Sequence, residues 1–456
     1  MFYVKGKSFV ASFSKTSHLL PKDQQEANLT QPTDYQDQSN LYTASAYHHF
    51  EGFADMLPLF GFVSLAMMIM TYLFILPFTP LVLTATIAHR QNTTNPQVGI
   101  EVPLDIGCPF LAPRTSPAKS VHDLRPDDIR IVAGIGDSVM AGFGAKGIQR
   151  TFFNLENLYE NRGVSFAIGG DPGAVTMPNI LNYYAHHLNG SSVGEHLISI
   201  CFDGMLGNQM CPQGQYRPKI DRLNAAQSGA RSLNLDHEID YLLDQLEDLY
   251  DTGEVEPTDW KLLTVFIGSN DICHSCTEFT SLPTPFGVNV MAAIDRLKKS
   301  MTHVLIQIIG IMRVQDIVVA TSNYTDYCRP IRGSSFVGHD HMCECSHSVT
   351  NRTLMASLFP QYNSVLQGVT SHYQTSGEDD NFTVVFQPLL IDILSFPIEA
   401  ISNIDCFHPS VLAHEWMSKM LWNMMFMLPD QKQETLLYDP KAPIYCPTEN
   451  DRIQTR

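Results

Sequence analysis

The chain has 456 residues, enough for one large α/β domain with appendages, and only 17% of them are charged. Its 29 basic and 47 acidic residues give a formal net charge of −18, which excludes a general nucleic-acid binder and disfavours attachment to anionic lipid by charge alone. Hydrophobic residues make up 44%, and no tract is collagenous or low-complexity, so a folded enzyme or receptor ectodomain remains.

Residues 1–55 are polar, rich in Gln, Ser and Tyr, and read as a disordered tail. Residues 56–88 carry no charge and exceed the roughly 20 residues that cross a bilayer. They read as a transmembrane anchor, with Leu57 to Leu76 as its span and Pro77 and Pro80 ending it. The competing reading is a signal peptide, whose apolar region is only about 7–15 residues and whose removal gives a secreted protein. All ten cysteines follow this run, an even number compatible with five disulfides. The glycosylation sequons at Asn92, Asn189, Asn323, Asn351 and Asn381 follow it too, whereas that at Asn28 precedes it. This asymmetry predicts a single-pass membrane protein whose residues 89–456 are extracellular or lumenal.

Residues 89–107 read as a stalk, 108–448 as the globular domain and 449–456 as a C-terminal tail. Ile129 to Ile135, Lys261 to Ile267, Ile317 to Ala320 and Thr383 to Phe386 are near-continuous apolar runs, as in strands buried on both faces. Ile239, Leu242, Leu243, Leu246 and Leu249 recur at helical spacing; Val290 to Ile309 and Ser410 to Phe426 make two further helices. This alternation predicts an α/β fold with a mostly parallel sheet covered by helices on both sides.

Reactive groups in such a sheet gather at the carboxyl ends of the strands. Gly136-Asp137-Ser138 follows the first run, and a serine at a strand-to-helix turn exposes its hydroxyl beside its own N–H. An ordinary helix cap is the plain alternative. Gly268-Ser269-Asn270-Asp271 follows the second run and offers an amide donor, or simply a turn. Asp405-Cys406-Phe407-His408-Pro409 precedes the last helix, with spacing that lets the carboxylate hold one imidazole nitrogen while the other faces a serine.

The order GDS, Asn224-Ala225-Ala226-Gln227-Ser228-Gly229-Ala230, GSND and DCFHP resembles the GDSL or SGNH hydrolase superfamily. LRPDDIRIVAGIGDSVMAGFGA, AIGGDPGAVTMPNIL, LNAAQSGARS, DWKLLTVFIGSNDIC and DCFHPSVLAHEWM are similar to its phospholipase B branch. The resemblance covers about residues 108–448. It implies a disulfide-braced, three-layer α/β/α sandwich of flavodoxin-like form, with Ser138 as nucleophile, His408 as base and Asp405 orienting it. Oxyanion donors would be the N–H groups of Ser138 and Gly229 and the side chain of Asn270. The implied activity is hydrolysis of fatty acyl esters of glycerophospholipids and lysophospholipids at a membrane surface, through an acyl-enzyme, with no cofactor, metal or protein partner. Retinyl or acylglycerol esters are alternative substrates, and a catalytically idle lipid-binding ectodomain is the alternative of another class. Two departures are GDSV for GDSL and Phe166 where the family more commonly has Trp.

Gly190-Ser191-Ser192-Val193-Gly194 fits a nucleophile-elbow pattern but follows no buried strand, and Ser191 belongs to the Asn189 sequon. The segment from His339 to His347 has metal-ligand residue types, yet its C-x-C spacing favours a disulfide loop. Cys273 and Cys276 are expected to brace the loop carrying Asn270, and Cys406 to pin the loop carrying His408. His274 reads as a surface or cap residue, and the methionines of 417–427 as helix core.

Overall fold

The computed structural model describes residues 104–148, 155–203, 209–331, 334–375 and 379–456. The expected tail, the apolar run 56–88, most of the stalk and Asn92 lie outside these residues. Among the described residues, no helix is long and apolar enough to cross a membrane.

A parallel sheet forms the centre, with β1 (Ile129–Gly136), β2 (Trp260–Phe266), β3 (Val304–Ile309) and β4 (Phe382–Gln387) adjacent in that order. Its strands are almost wholly buried, as their unbroken apolar runs predict. The buried amide of Gln307 in β3 donates through Nε2 to Thr264 Oγ1 in β2 at 2.8 Å, linking two polar side chains inside the sheet. Parallel register from Gly136↔Phe266 to Ile309↔Gln387 brings all the carboxyl ends to one edge.

The serine turn opens α1 (Ser138–Ala141), and α2 is Met177–Ala185. Three long helices make the crossovers: α3 (Leu235–Asp251) before β2, α5 (Pro283–Ser300) before β3 and α7 (Val349–Thr375) before β4. Between them come α4 (Ser269–His274) and α6 (Gln315–Thr321), and α8 (Val411–Met424) follows β4. Each buries an apolar stripe, Ile239, Leu242 and Leu246 in α3 and Phe286, Val290, Ile294 and Leu297 in α5. Helix α5 packs on both α3 and α7, and α2 packs on α8.

Two expected elements are corrected. The helix expected over Val290 to Ile309 is α5 followed by β3. Helix α5 stops at Ser300, Met301 is extended, and His303 takes φ 57°, reversing the chain into the sheet. The strand expected at Ile317 to Ala320 lies in α6, where Thr321 Oγ1 donates to the Ile317 carbonyl at 2.8 Å. A strand buried on both faces needs apolar neighbours on each, but Val319 is 49% exposed.

All ten cysteines are paired: Cys108–Cys446, Cys201–Cys211, Cys273–Cys343, Cys276–Cys345 and Cys328–Cys406. This agrees with the five disulfides expected and with an oxidising compartment. The segment expected as a C-terminal tail runs along the domain. Ile453 is buried there, and Arg452 pairs with Asp123 at 2.7 Å.

Candidate active site

Strand β1 runs into the turn through Gly136, whose φ of 155° and closeness to β2 demand glycine; a Cβ would stand 2.2 Å from the Phe266 carbonyl oxygen. Asp137 then caps α1, its Oδ1 accepting the Val139 N–H at 3.0 Å. The cap alternative is thus realised at Asp137, with Ser138 following it as the first residue of α1. With Asp137 fixing the turn, Ser138 is held at the strand end.

The second component is the loop between β4 and α8. Cys406 adopts φ 51° there, folding the chain back between Asp405 and His408, and its disulfide to Cys328 fastens that turn. Asp405 Oδ1 accepts the N–H groups of Phe407 (3.0 Å) and His408 (3.1 Å), while Oδ2 accepts from His408 Nδ1 at 2.5 Å. With Nδ1–H committed to the carboxylate, Nε2 is the acceptor facing Ser138 Oγ at 2.7 Å. Ser402 ties this loop to the serine turn: its N–H donates to the His408 carbonyl (2.8 Å) and its hydroxyl to that of Gly144 (2.7 Å).

Ser138, Asp405 and His408 are all nine-tenths or more buried. Burial pushes the Asp405 carboxyl up, but the His408 charge and the hydrogen bonds it accepts outweigh this and hold it below the usual carboxylate range. Burial likewise disfavours charge on His408. Asp405 overrides that by charge and hydrogen bond, Asp137 adds to it, and the ring sits above its ordinary pKa.

The NAAQSGA block is carried to the same place by backbone pairing. Ala225 N–H donates to the Gly134 carbonyl (2.8 Å) and Gln227 N–H to that of Gly136 (3.1 Å), so the segment follows β1 to its end and leaves Gly229 beside Ser138. Gly229 has φ 80°, and a Cβ there would lie 2.6 Å from the Cys201 carbonyl oxygen. Asn270 enters from α4 after β2, with Nδ2 donating to the Ala230 carbonyl at 2.9 Å. Ser138, Gly229, Asn270, Asp405 and His408 line one cavity of about 540 Å³, whose other walls include Phe143, Leu158, Ile198, Met342, Ile404 and Phe407.

Residues 132–421 match the GDSL-like lipase/acylhydrolase family. The chain belongs to that family. It is 30% identical over 361 residues to membrane-associated phospholipase B1 of Mus musculus, and 27% identical over 357 residues to that of Homo sapiens; each match covers 75% of this chain. The chain spans less than a quarter of the length of these relatives, 22% and 23%. An extracellular lipase from Streptomyces rimosus aligns structurally over 62% of this chain and 94% of its own, with 13% identity and a TM-score of 0.29.

In this GDSL-family domain two of the disulfides brace the element that carries a cavity residue. Cys273–Cys343 and Cys276–Cys345 join α4, which carries Asn270, to the segment after α6. The metal-type residues from His339 to His347 therefore fall into a cross-linked loop, with His339 Nδ1 paired to Thr321 Oγ1 at 3.0 Å. Among the described residues no group of His, Cys, Asp or Glu is arranged to hold a metal ion. Composition and spacing gave no sign that His341 lines the cavity, stacked on Phe336 at 4.8 Å. His274 Nδ1 bonds the Asn270 carbonyl at 2.8 Å within α4.

Three buried acids stand near the strand ends, Asp137 and Asp271 inside the GDS and GSND blocks and Glu238 with no sequence signal. Burial pushes Asp137 and Asp271 each up to about 6, although Ser232 donates to Asp271 through its N–H (2.9 Å) and hydroxyl (2.7 Å). Glu238, wholly buried on α3, is raised well above its ordinary pKa by the same cause, and its Oε2 accepts the Gly136 N–H at 2.7 Å. Of the sequons, Asn323 and Asn381 are exposed, whereas Asn189 and Asn351 are half-buried.

Proposed function

We propose that this GDSL-family chain is a serine carboxylic ester hydrolase that removes fatty acyl groups from glycerophospholipids and lysophospholipids. The observation that carries the reading is the 2.7 Å contact of Ser138 Oγ with His408 Nε2 at an apolar-walled cavity. His408 takes the hydroxyl proton as Oγ bonds to the ester carbonyl carbon. The negative charge that develops on the carbonyl oxygen is met by the N–H groups of Ser138 and Gly229 and by Asn270 Nδ2. Collapse breaks the bond to the glycerol oxygen, which leaves with the proton from the imidazolium. Water, deprotonated by His408, then cleaves the acyl-Ser138 ester, releasing fatty acid and restoring the hydroxyl.

The apolar walls suit an acyl chain, and the named activity of the phospholipase B1 relatives supports phospholipid as the substrate class. The chargeless run 56–88 and the disulfides support a membrane-anchored domain on the extracellular or lumenal side, with Asn189, Asn323, Asn351 and Asn381 as glycan acceptors. Right-handed crossovers that all advance in one direction put α3, α5 and α7 on one face of the sheet; with α2 and α8 on the other, this supports the three-layer, flavodoxin-like reading.

Fluorophosphonate labelling followed by peptide mapping tests the nucleophile. The adduct is expected on Ser138 and absent from Ser138→Ala. An unlabelled wild-type chain, or an adduct on another residue, sinks the reading.

A further inference from the structure

The walls of the cavity continue outward onto the protein surface, and what they present there is apolar. On one side the chain from 198 to 202 is extended, with Ser199 and Cys201 buried and Ile200 and Phe202 43% and 44% exposed. With the period of two of an extended chain, Ile198, Ile200 and Phe202 share a face. Ile198 and Ile200 line the cavity, so Phe202 extends that lining past its edge. Met210, 52% exposed, pairs opposite Phe202 in an antiparallel register and therefore stands beside it on the same face.

This rim is held in place. Cys201–Cys211 closes the pairing, and the Gln215 side chain grips the Ile200 peptide from both sides, its Oε1 accepting the N–H at 2.5 Å and its Nε2 donating to the carbonyl at 3.3 Å. Across the cavity, Ile331 and Phe336 are 47% and 36% exposed, close to the Cys328–Cys406 bridge. Keeping such side chains in water on cross-linked backbone is unfavourable unless something apolar covers them.

We infer that this rim docks the domain onto a neutral phospholipid surface, with Phe202, Met210, Ile331 and Phe336 entering the boundary between headgroups and acyl chains. The inference rests on the lipid-ester reading above, which makes the cavity the destination of an acyl chain. Continuity of rim and cavity then lets a chain pass from the bilayer to Ser138 without crossing water. A net charge of −18 argues against attraction to anionic lipid, so the apolar rim has to supply the contact.

The test uses the full chain carrying Ser138→Ala, reconstituted with phosphatidylcholine vesicles brominated on their acyl chains. A tryptophan introduced by Phe202→Trp is expected to lose most of its added emission to bromine quenching. One introduced by Thr302→Trp, at the opposite end of the sheet, is expected to keep it. No quenching at the first position, or equal quenching at both, overturns the inference. With Ser138 intact, Phe202→Ser/Met210→Ser is expected to lose about tenfold in turnover of vesicle phospholipid while hydrolysing a soluble short-chain ester at the wild-type rate. Equal loss on both substrates assigns these side chains a merely structural role and also overturns it. If the wild-type chain hydrolyses neither substrate, the lipid-ester reading fails, and the quenching result still decides the docking surface.

Discussion

Gly338 lies flat against the backbone of Asp405: a Cβ on Gly338 would stand 2.4 Å from the Asp405 carbonyl carbon. The cross-linked segment after α6 is thus moulded onto the loop that carries Asp405 and His408. Because the obstacle is backbone, a methyl here forces one chain to move. Gly338→Ala is expected to cost about 1–3 kcal/mol of stability and, by displacing the carboxylate that orients His408, roughly 10²-fold in kcat. Melting temperature and kcat check this together; a wild-type kcat would show that the loop carrying Asp405 does not depend on this contact.

The pH profile follows from the charges around His408. The imidazole acts as a base only when neutral, and Asp405, outweighing burial, holds its pKa above the ordinary value. The acid limb of kcat/KM is therefore expected above about pH 6.5. Asp405→Asn removes the favourable charge and leaves burial, so the limb moves to lower pH while the plateau falls by roughly 10⁴-fold. A limb that stays in place in the variant contradicts the assigned pairing.

Removing the Asn270 side chain tests charge stabilisation separately from binding. Asn270→Ala is expected to lower kcat by about 10²–10³-fold with little change in KM, since the donor matters most when the carbonyl oxygen becomes negative. Steady-state kinetics on a soluble ester make the distinction. A rise in KM at constant kcat would place Asn270 in ground-state binding instead.

Glu238 offers a stability test. Its folded pKa is raised by burial, so the folded state holds the proton more tightly than the unfolded chain does. The resulting penalty is absent below the unfolded pKa of about 4.3 and grows as pH rises through the raised folded value. Glu238→Gln keeps an acceptor for the Gly136 N–H and removes the ionisation. Its melting temperature is expected to exceed wild type at pH 8 and to converge with it towards pH 4. A pH-independent difference would mean that shape, and not charge, dominates at this position.

The features legible in the sequence were those that local chemistry dictates. Strands β1, β2 and β4 announced themselves as unbroken apolar runs, and α3 as a clean 3.6-residue period. The Ser138, Asn270 and His408 blocks were readable because each follows a strand end or precedes a helix, whereas the Gly229 block was singled out by the family resemblance alone. Strand β3 was missed because Val304 to Ile309 resumes an apolar run just after α5, although Lys298 and Lys299 in the last helical turn and the polar Ser300, Thr302 and His303 mark the break between them. In α6 the opposite happened: β-branched Ile317, Val318 and Val319 suggest a strand, but the sheet provides no neighbour for them. The partners of Cys343, Cys345 and Cys406, and the placing of His341 at the cavity, depend on contacts between distant segments that spacing does not encode.

The Cys108–Cys446 bond brings together residues 338 positions apart, with their Cα atoms separated by 5.4 Å. Mechanical tension applied to the chain on the amino-terminal side of Cys108 would pass through one covalent link to the far end of the domain. The load is thereby divided between the backbone leading to β1 and a covalent path to the other end of the domain, so less of it reaches the serine turn than a single unbridged strand of chain would carry.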